Sequence, residues 1–181
     1  IIPNLLKDGR RMYAYHFDGY WKDVGTIPSL WEANMEVLDP EHSGINLFDE
    51  NWKIYSRNSG MTGHKISDGG VVENSMITDG CRIAGTVRHS VLFAGVRVEK
   101  DAVVEDAVIM GGTVIRSGAV VRHCIVAENV EIGEHAVVGS MPDASGNGVA
   151  TIGSGITIGS EAKIGPNAMV TKNIEGGEEQ W

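Results

Sequence analysis

The sequence has few aromatic residues, only two cysteines and no long apolar run. Aromatic side chains make up 6% of its 181 residues, whereas 24 residues are glycine, so small and β-branched aliphatic side chains must build the core. Cys81 and Cys124 fit neither a disulfide framework nor a zinc-ligand spacing, which indicates a reducing compartment and a cytoplasmic protein. No segment is apolar enough to span a membrane and no signal peptide is recognisable, so we predict no membrane partner.

The charge balance argues against nucleic acid as a partner. Lysine and arginine number 15 against 24 aspartate and glutamate residues, which gives a net charge of −9. The basic residues form no cluster of the kind that a nucleic-acid backbone requires. Local arginines and lysines could still hold an anionic substrate.

The first sixty residues show mixed α/β patterns. The opening stretch IIPNLLKDG is typical of the last turns of a helix closed by Gly9, and we expect the chain to be a piece cut from a longer one. Residues 11–24 predict a hairpin, because RMYAYHF alternates in period two, Asp18-Gly19 is a two-residue turn signal, and YWKDV returns. Trp21 and Asp23 would then share one face of the second strand.

A helix is predicted directly after this hairpin. Thr26 is a suitable N-cap and Pro28 falls in the first turn, while Asp39-Pro40 ends the helix. The apolar stripe of the helix consists of Leu30, Ala33, Val37 and Leu38. We expect Trp21 to pack against this helix, which carries Trp31.

From about Lys65 the sequence is a repeat. Blocks of seventeen residues cover 85–101, 102–118 and 119–135, and a fourth begins at Ala136. Two aliphatic columns align, namely Val87, Val104, Val121 and Val138, and Val98, Ile115 and Ile132. A column of small residues contains Ser90, Ala107 and Cys124. The preceding stretch fits the same frame with two residues deleted, which aligns Val72 with Val87.

The repeat predicts a solenoid. After the stretch SMPDASGNGVA (140–150) the period becomes six, with large aliphatic residues at Ile152, Ile158, Ile164 and Val170. One aliphatic residue per short unit, with small residues at the corners, suits stacked coils that bury each other's faces. Roughly six coils are available if each takes about three hexads. The hexads IGSEAK and IGPNAM resemble the hexapeptide repeat of the left-handed parallel β-helix.

These patterns define the predicted fold and domains. We predict a mainly β protein in which residues 61–181 form a left-handed parallel β-helix. Residues 1–60 would form the α/β end of another domain, followed by a linker. A fold of this kind does not define a function, since acyltransferases and sugar-nucleotide enzymes both carry such helices.

The first sixty residues carry a more specific resemblance. The stretch YAYHFDGYWKDVGTIPSLWEANMEVL resembles the end of the catalytic domain of bacterial glucose-1-phosphate adenylyltransferase, in which a YW-x-DVGT element precedes a helix, a linker like IYSRN, and a β-helix. The likeness runs through residues 1–139 at least. It implies an enzyme that joins ATP and α-D-glucose 1-phosphate into ADP-glucose and pyrophosphate for glycogen synthesis. It also implies Mg²⁺, a sugar-phosphate effector and a homotetramer.

The resemblance gives Asp23 a role as a metal ligand. Asp23 matches the family position that supplies a carboxylate to Mg²⁺, which is usually held by one or two carboxylates and the substrate phosphates. Without that context, an aspartate three residues before Thr26 is typical of a turn or a cap. The partner aspartate, the glycine-rich nucleotide loop and the sugar-phosphate lysine of the family would lie upstream of Ile1. We therefore assign no catalytic or cofactor-binding residue and expect no activity from this chain alone.

Two other functions compete with this interpretation. One is a noncatalytic module, either a regulatory paralogue or an oligomerisation solenoid. The other is a hexapeptide acyltransferase with a histidine as general base. However, His89 and His123 share a repeat column with Asp106, which is typical of a polar, outward position, while His64 and His135 fall at corners or in the entry to the repeat.

Two further features are open at the sequence level. Residues 140–150 form an insertion between coils, and such insertions often carry binding faces. Five arginines lie along the coils and could contribute to an effector site or be ordinary surface charges; they are Arg82, Arg88, Arg97, Arg116 and Arg122.

Overall fold

The computed structural model describes residues 1–56, 58–142 and 148–181. Three helices come first, α1 (Ile2–Lys7), α2 (Ile27–Glu36) and α3 (Pro40–Ser43), and the strands of the described chain begin at Lys65. The strands are β1 (Lys65–Ile66), β2 (Val71–Glu73), β3 (Met76–Ile77), β4 (Arg82–Ile83), β5 (Thr86–Arg88), β6 (Val91–Leu92), β7 (Arg97–Val98), β8 (Val103–Glu105), β9 (Val108–Ile109), β10 (Val114–Ile115), β11 (Val120–Arg122), β12 (Cys124–Val126), β13 (Glu131–Ile132), β14 (Val137–Val138), β15 (Ala150–Ile152), β16 (Thr157–Ile158), β17 (Lys163–Ile164), β18 (Met169–Val170) and β19 (Glu179–Gln180).

The strands form three parallel sheets that the chain visits in rotation. The first sheet has the order β1-β4-β7-β10-β13-β16, the second β19-β17-β14-β11-β8-β5-β2, and the third β18-β15-β12-β9-β6-β3. Every neighbour in a sheet therefore belongs to the next coil, which is the definition of a solenoid. The predicted parallel β-solenoid is confirmed, with about seven turns.

The register of the coils is the one that the repeat predicts. Val87 pairs with Val104, Val104 with Val121, and Val121 with Val138. The shorter coil is also confirmed, because Val72 pairs with Val87. The two missing residues lie between β4 and β5, where Ala84 and Gly85 alone connect the strands, whereas the next coil uses residues 99–102.

Most strands direct one side chain into the solenoid to form the core, and β12 and β15 direct two. The predicted aliphatic columns are fully buried, as is the column of small residues Ser90, Ala107 and Cys124. Burial raises the pKa of the Cys124 thiol, so this residue behaves as a small apolar side chain. Ser90 is satisfied inside the core, since its hydroxyl donates to the Arg88 carbonyl and accepts from the Ala107 amide.

The corners need backbone in the left-handed region, and non-glycine residues supply much of it. At the corner between the second and third sheets, Asn74, His89, Asp106 and His123 have φ values of 38°, 41°, 57° and 42°. Asparagine, aspartate and histidine are the side chains that tolerate this conformation best. At the corner between the first and second sheets, Gly118 lies under the ring of His135, where a Cβ atom would clash.

The predicted helix after residue 25 is confirmed as α2. Thr26 Oγ1 accepts from the Ser29 amide at 3.3 Å, and Ser29 Oγ accepts from the Thr26 amide at 3.1 Å, so the two residues form a capping box. Helix α2 ends at Glu36, and α3 begins at Pro40.

The predicted hairpin at residues 11–24 is wrong. The structure assigns no strand to this segment, and its aromatic side chains other than Tyr20 are exposed, with Tyr15 at 90% and Trp21 at 74%. Trp21 therefore does not pack against α2. A two-stranded hairpin is marginal unless a third strand or a helix covers its apolar face, and the contacts that hold this segment to α2 are polar ones from Tyr20 and Lys22. Within the described residues, no helix is long and apolar enough to cross a membrane.

Candidate functional site

Asp23 lies in an exposed turn immediately before α2. Its Oδ1 atom accepts a hydrogen bond from the Gly25 amide at 3.1 Å, which is the turn role that an aspartate commonly plays. No hydrogen bond within the described residues involves its second oxygen, Oδ2, so this atom faces solvent as an available ligand. The turn role and the metal role of Asp23 are therefore compatible, and the metal role stays a prediction.

Two side chains hold the segment before Asp23 against α2. The Tyr20 hydroxyl donates to Glu36 at 2.6 Å, and the Lys22 ammonium contacts Glu36 at 2.7 Å and Glu32 at 3.0 Å. The hydrogen bond from Lys22, followed by that from Tyr20, lowers the pKa of the Glu36 carboxyl. The bonds to Glu36 in turn raise the pKa of Tyr20 and of Lys22. Residues 20–36 thus form one unit, which we call the α2 unit, and the Asp23 turn lies at the end where the chain enters the helix.

Helix α2 packs on the outer face of the third sheet. The outward side chains of this sheet are apolar in β3, β6, β9 and β12, where they are Met76, Val91, Val108 and Ile125 in register. Met35 and Trp31 of α2 belong to the same apolar cluster, together with Ile27, Leu30, Val37 and Leu38. The next two outward positions are Thr151 and Met169, and Met169 is 61% exposed. The apolar outward residues therefore mark the footprint of the helix.

The sequence contains a signal for this footprint that the repeat analysis missed. The strands Val91-Leu92, Val108-Ile109 and Cys124–Val126 carry adjacent apolar residues that are buried on both faces. A strand with one solvated face alternates, whereas a strand covered on both faces is continuously apolar. These adjacent apolar residues could have predicted that a helix or another segment covers the outer face of the third sheet.

A polar cluster fixes α2 at the corner between the second and third sheets. Asp106 Oδ1 accepts from His89 Nδ1 at 2.7 Å, and Asp106 Oδ2 accepts from His123 Nδ1 at 2.8 Å. The Trp31 indole Nε1 donates to the Asp106 carbonyl at 2.9 Å, and its ring meets the His123 ring edge-on with centroids 4.6 Å apart. We call these four residues, Trp31, His89, Asp106 and His123, the corner cluster.

The corner cluster corrects the prediction of a solvated polar column for Asp106 and His123, whereas the His89 side chain remains 44% exposed. Asp106 is only 8% and His123 only 7% exposed, because Trp31 covers them. A helix that docks from another part of the chain is not visible in the local repeat pattern. The burial also removes His123 from solvent, which argues against its use as a general base in acyl transfer.

The structure divides the five coil arginines into two groups. Arg88, Arg116 and Arg122 form ion pairs along the stack, with Glu73, with Glu99 and Glu131, and with Glu105. Arg82 and Arg97 form no ion pair within the described residues. They pair in register with each other and with Lys65 on the outward face of the first sheet. We call Lys65, Arg82 and Arg97 the basic column.

The insertion predicted at residues 140–150 leaves the solenoid at the same corner as the corner cluster. It connects β14 of the second sheet to β15 of the third. Val149 packs in the apolar cluster under α2, and the Gly148 carbonyl accepts from the Asn167 amide at 3.2 Å. Residues 143–147 of this insertion lie outside the described residues, so the binding face suggested for residues 140–150 stays a prediction.

Two cavities in the described chain lie away from Asp23. One of about 330 Å³ opens at the first coil and is lined by Phe48, His64, Ile66 and Met76 among others. The other, of about 400 Å³, lies between Phe17 and Tyr20 on one side and Trp52 and Ile54 on the other. Across residues 1–56, 58–142 and 148–181, no three histidine, cysteine, aspartate or glutamate side chains are placed to hold a metal ion.

The fold and the docked α2 unit define a hexapeptide-repeat solenoid attached to nucleotidyltransferase-like sequence. Residues 61–159 match the family described as GlmU-like, C-terminal hexapeptide, and residues 1–40 match the family described as Nucleotidyl transferase. Because the first match covers more than half of the chain, the protein belongs to the GlmU-like hexapeptide family.

Similar curated proteins confirm the predicted resemblance. The chain is 52% identical over 112 residues to a glucose-1-phosphate adenylyltransferase of Bacillus mycoides (strain KBAB4), which is 62% of this chain and 30% of the relative. It is 50% identical over 108 residues to one of Clostridium botulinum (strain Eklund 17B / Type B), which is 60% of this chain and 28% of the relative. The match thus spans less than a third of these relatives, in their C-terminal part.

Proposed function

We propose that this chain supplies the solenoid and the Asp23 turn of a glucose-1-phosphate adenylyltransferase. The observation that carries the proposal is the α2 unit: sequence that matches a nucleotidyltransferase, with an aspartate at its apex, is docked on a hexapeptide solenoid. The identity of 50–52% to enzymes of that name supports the choice of substrates. Those substrates are ATP and α-D-glucose 1-phosphate, and the products are ADP-glucose and pyrophosphate for glycogen synthesis.

The proposed reaction is a nucleotidyl transfer. A phosphate oxygen of the sugar phosphate attacks the α-phosphorus of ATP, a new P–O bond forms, and the bond to the β-phosphate oxygen breaks as pyrophosphate leaves. Negative charge spreads over the phosphate oxygens, so positioning and neutralising groups dominate catalysis. Mg²⁺ would supply the neutralising charge, and Asp23 would hold it through Oδ2. One exposed carboxylate with one unbonded oxygen fits an ion that takes most of its ligands from water and substrate phosphates.

Activity measurements on two lengths of the protein test this proposal. The 181-residue chain, incubated with ATP, glucose 1-phosphate and Mg²⁺, is expected to form no ADP-glucose, whereas a full-length enzyme carrying this sequence is expected to form it. Asp23→Asn in that enzyme should lower the rate at least about a hundredfold, in the range that removal of one stabilising group costs. Asp18→Asn, five residues earlier in the same exposed segment, is the matched control and should have no effect. ADP-glucose formation by the isolated chain, or an Asp23→Asn enzyme of full activity, contradicts the proposal.

The basic column is the feature that best suits a sugar-phosphate effector. Three cationic residues lie in register on neighbouring strands of consecutive coils, and neighbouring strands are about 5 Å apart. Like charges directly opposite each other destabilise a sheet, so a bound anion would relieve this repulsion.

We also propose that the enzyme is cytoplasmic, since both cysteines are buried and free, and that it is a homotetramer, as the resemblance implies.

A further inference from the structure

We propose that Trp31 and Asp106 are positioning residues through which the solenoid sets the orientation of the Asp23 turn. The inference rests on the proposed function, because it concerns the residue that would hold Mg²⁺. It assigns a role to the corner cluster, which neither the solenoid core nor the reaction itself requires.

The first step is that the Asp23 turn moves with α2. Asp23 Oδ1 binds the Gly25 amide, Thr26 caps the helix through Ser29, and the Leu30 amide donates to the Thr26 carbonyl at 3.0 Å. Tyr20 and Lys22 bind the side of the helix from the other end of the turn. A displacement or rotation of α2 is therefore passed directly to the Asp23 carboxylate.

The second step is that apolar packing alone does not fix α2. Hydrophobic contacts are non-directional, so the cluster around Met35 holds the helix on the third sheet but permits small slides and rotations. The bond from Trp31 Nε1 to the Asp106 carbonyl is directional and, at 2.9 Å, well formed. Trp31 lies one turn beyond the cap, so it fixes the end of the helix that carries Asp23.

The third step is that Asp106 fixes the two groups that Trp31 contacts, namely its own carbonyl and the His123 ring. Its two carboxylate oxygens each accept from one imidazole, one from the coil before and one from the coil after. This orients the His123 ring, which the Trp31 ring meets edge-on with an angle of 65° between the ring planes. Asp106 also presents its own carbonyl from a left-handed backbone with φ of 57°. One residue therefore orients both groups that Trp31 contacts.

Amide hydrogen exchange on the 181-residue chain, measured by NMR, tests this coupling. Trp31→Phe keeps an aromatic ring but removes the indole N–H together with the pyrrole part of the indole, and we expect the Gly25, Ser29 and Leu30 amides to exchange at least about fivefold faster, the factor that one ordinary hydrogen bond contributes. The Val103 and Val120 amides, which bind the next coil at 2.9 and 2.8 Å, should keep their rates. Asp106→Asn should act in the same direction. Glu105→Gln is the matched control, because Glu105 precedes Asp106 and its side chain pairs with Arg122 outside the corner cluster.

The outcomes separate a positioning role from a structural one. Unchanged exchange at Gly25 in the Trp31→Phe chain overturns the inference, and so does equal acceleration at Gly25 and at Val103, which would make the cluster a stabilising element only. If Asp106→Asn does not fold, the exchange rates of the Trp31→Phe chain alone decide.

In a full-length enzyme, Trp31→Phe should raise the Mg²⁺ concentration for half-maximal rate about fivefold and leave the rate at saturating Mg²⁺ nearly unchanged. An inactive full-length enzyme with an intact exchange response overturns the proposed function and supports the coupling.

Discussion

The indole of Trp31 donates a hydrogen bond to the carbonyl of Asp106, which lies 75 residues further along the chain. This contact joins sequence that matches a nucleotidyltransferase to the second and third sheets of a solenoid. Solenoid coils contact only their neighbours, so an element that lies across several coils must be held by side chains at their outer face. The apolar cluster under Met35 and the corner cluster together provide that attachment.

The solenoid core should be sensitive to the loss of a single inward side chain. Ile115 is fully buried and lies in register between Val98 and Ile132. Ile115→Ala should lower the free energy of unfolding by about 2–5 kcal/mol, because truncation leaves a cavity that stacked strands cannot close. Urea denaturation followed by circular dichroism measures this loss. Val114→Ala, the outward neighbour in β10, is the control and should cost far less; equal losses would contradict the inward and outward assignment.

The footprint of α2 on the third sheet can be tested with one column of outward residues. Val108 is fully buried under the helix, so Val108→Glu places a carboxylate in an apolar contact without a partner, which is strongly unfavourable. We expect α2 to detach while the solenoid stays folded. Limited proteolysis should then cleave within residues 1–60 much faster and leave a stable solenoid fragment.

Met169→Glu provides the control in the same column. Met169 lies two coils beyond Ile125 and is exposed, so a charge there is solvated and should not change the proteolysis pattern. Rapid cleavage in both variants, or in neither, would show that the outward face is not covered selectively.

The repeat could be predicted because its information is local. The inward aliphatic residue recurs at a fixed spacing, so the period gives the register of Val87, Val104 and Val121 directly. The hairpin at 11–24 could not be judged in this way, because strand pairing depends on what covers the apolar face. The burial of His123 was missed for a related reason, since its cover comes from α2. For Asp23 the sequence left a turn role and a metal-ligand role open, and the structure shows the turn, in which Asp23 accepts from the Gly25 amide.

The contact between residues 20–22 and α2 should weaken in acid. Hydrogen bonds from Lys22 and Tyr20 lower the pKa of Glu36 from its ordinary value of 4.5. A carboxyl whose pKa is lowered in the folded state adds stability above its unfolded pKa, and this stability is lost as the pH falls through the folded value. We therefore expect the contact to be intact above pH 4.5 and to be released only as the pH falls through the lowered pKa of Glu36, which lies below 4.5.

An NMR titration of the Glu36 carboxyl carbon measures this release. In Lys22→Gln the largest cause of the shift is gone, so the midpoint should rise toward 4.5. Lys163→Gln removes a similar exposed ion pair, with Glu179, at the far end of the solenoid, and should leave the Glu36 midpoint in place. A Glu36 midpoint that does not move in Lys22→Gln would show that Lys22 and Glu36 are not paired in solution.

The proposed effector role of the basic column distinguishes it from the paired arginines. Arg97 has no acidic partner in the described part of the chain, whereas Arg88 is bound to Glu73 at 2.7 Å. An anion can therefore bind Arg97 without breaking an ion pair, but it must displace Glu73 to reach Arg88.

Isothermal titration of a hexose bisphosphate into the chain should show affinity about tenfold weaker for Arg97→Gln, the loss expected for one charge-assisted bond. Arg88→Gln should bind as the unchanged chain does. Binding should also weaken with salt, since exposed charges are screened. Equal loss in both variants would indicate general attraction to positive charge, and no binding by the unchanged chain would remove the basic column as an effector site.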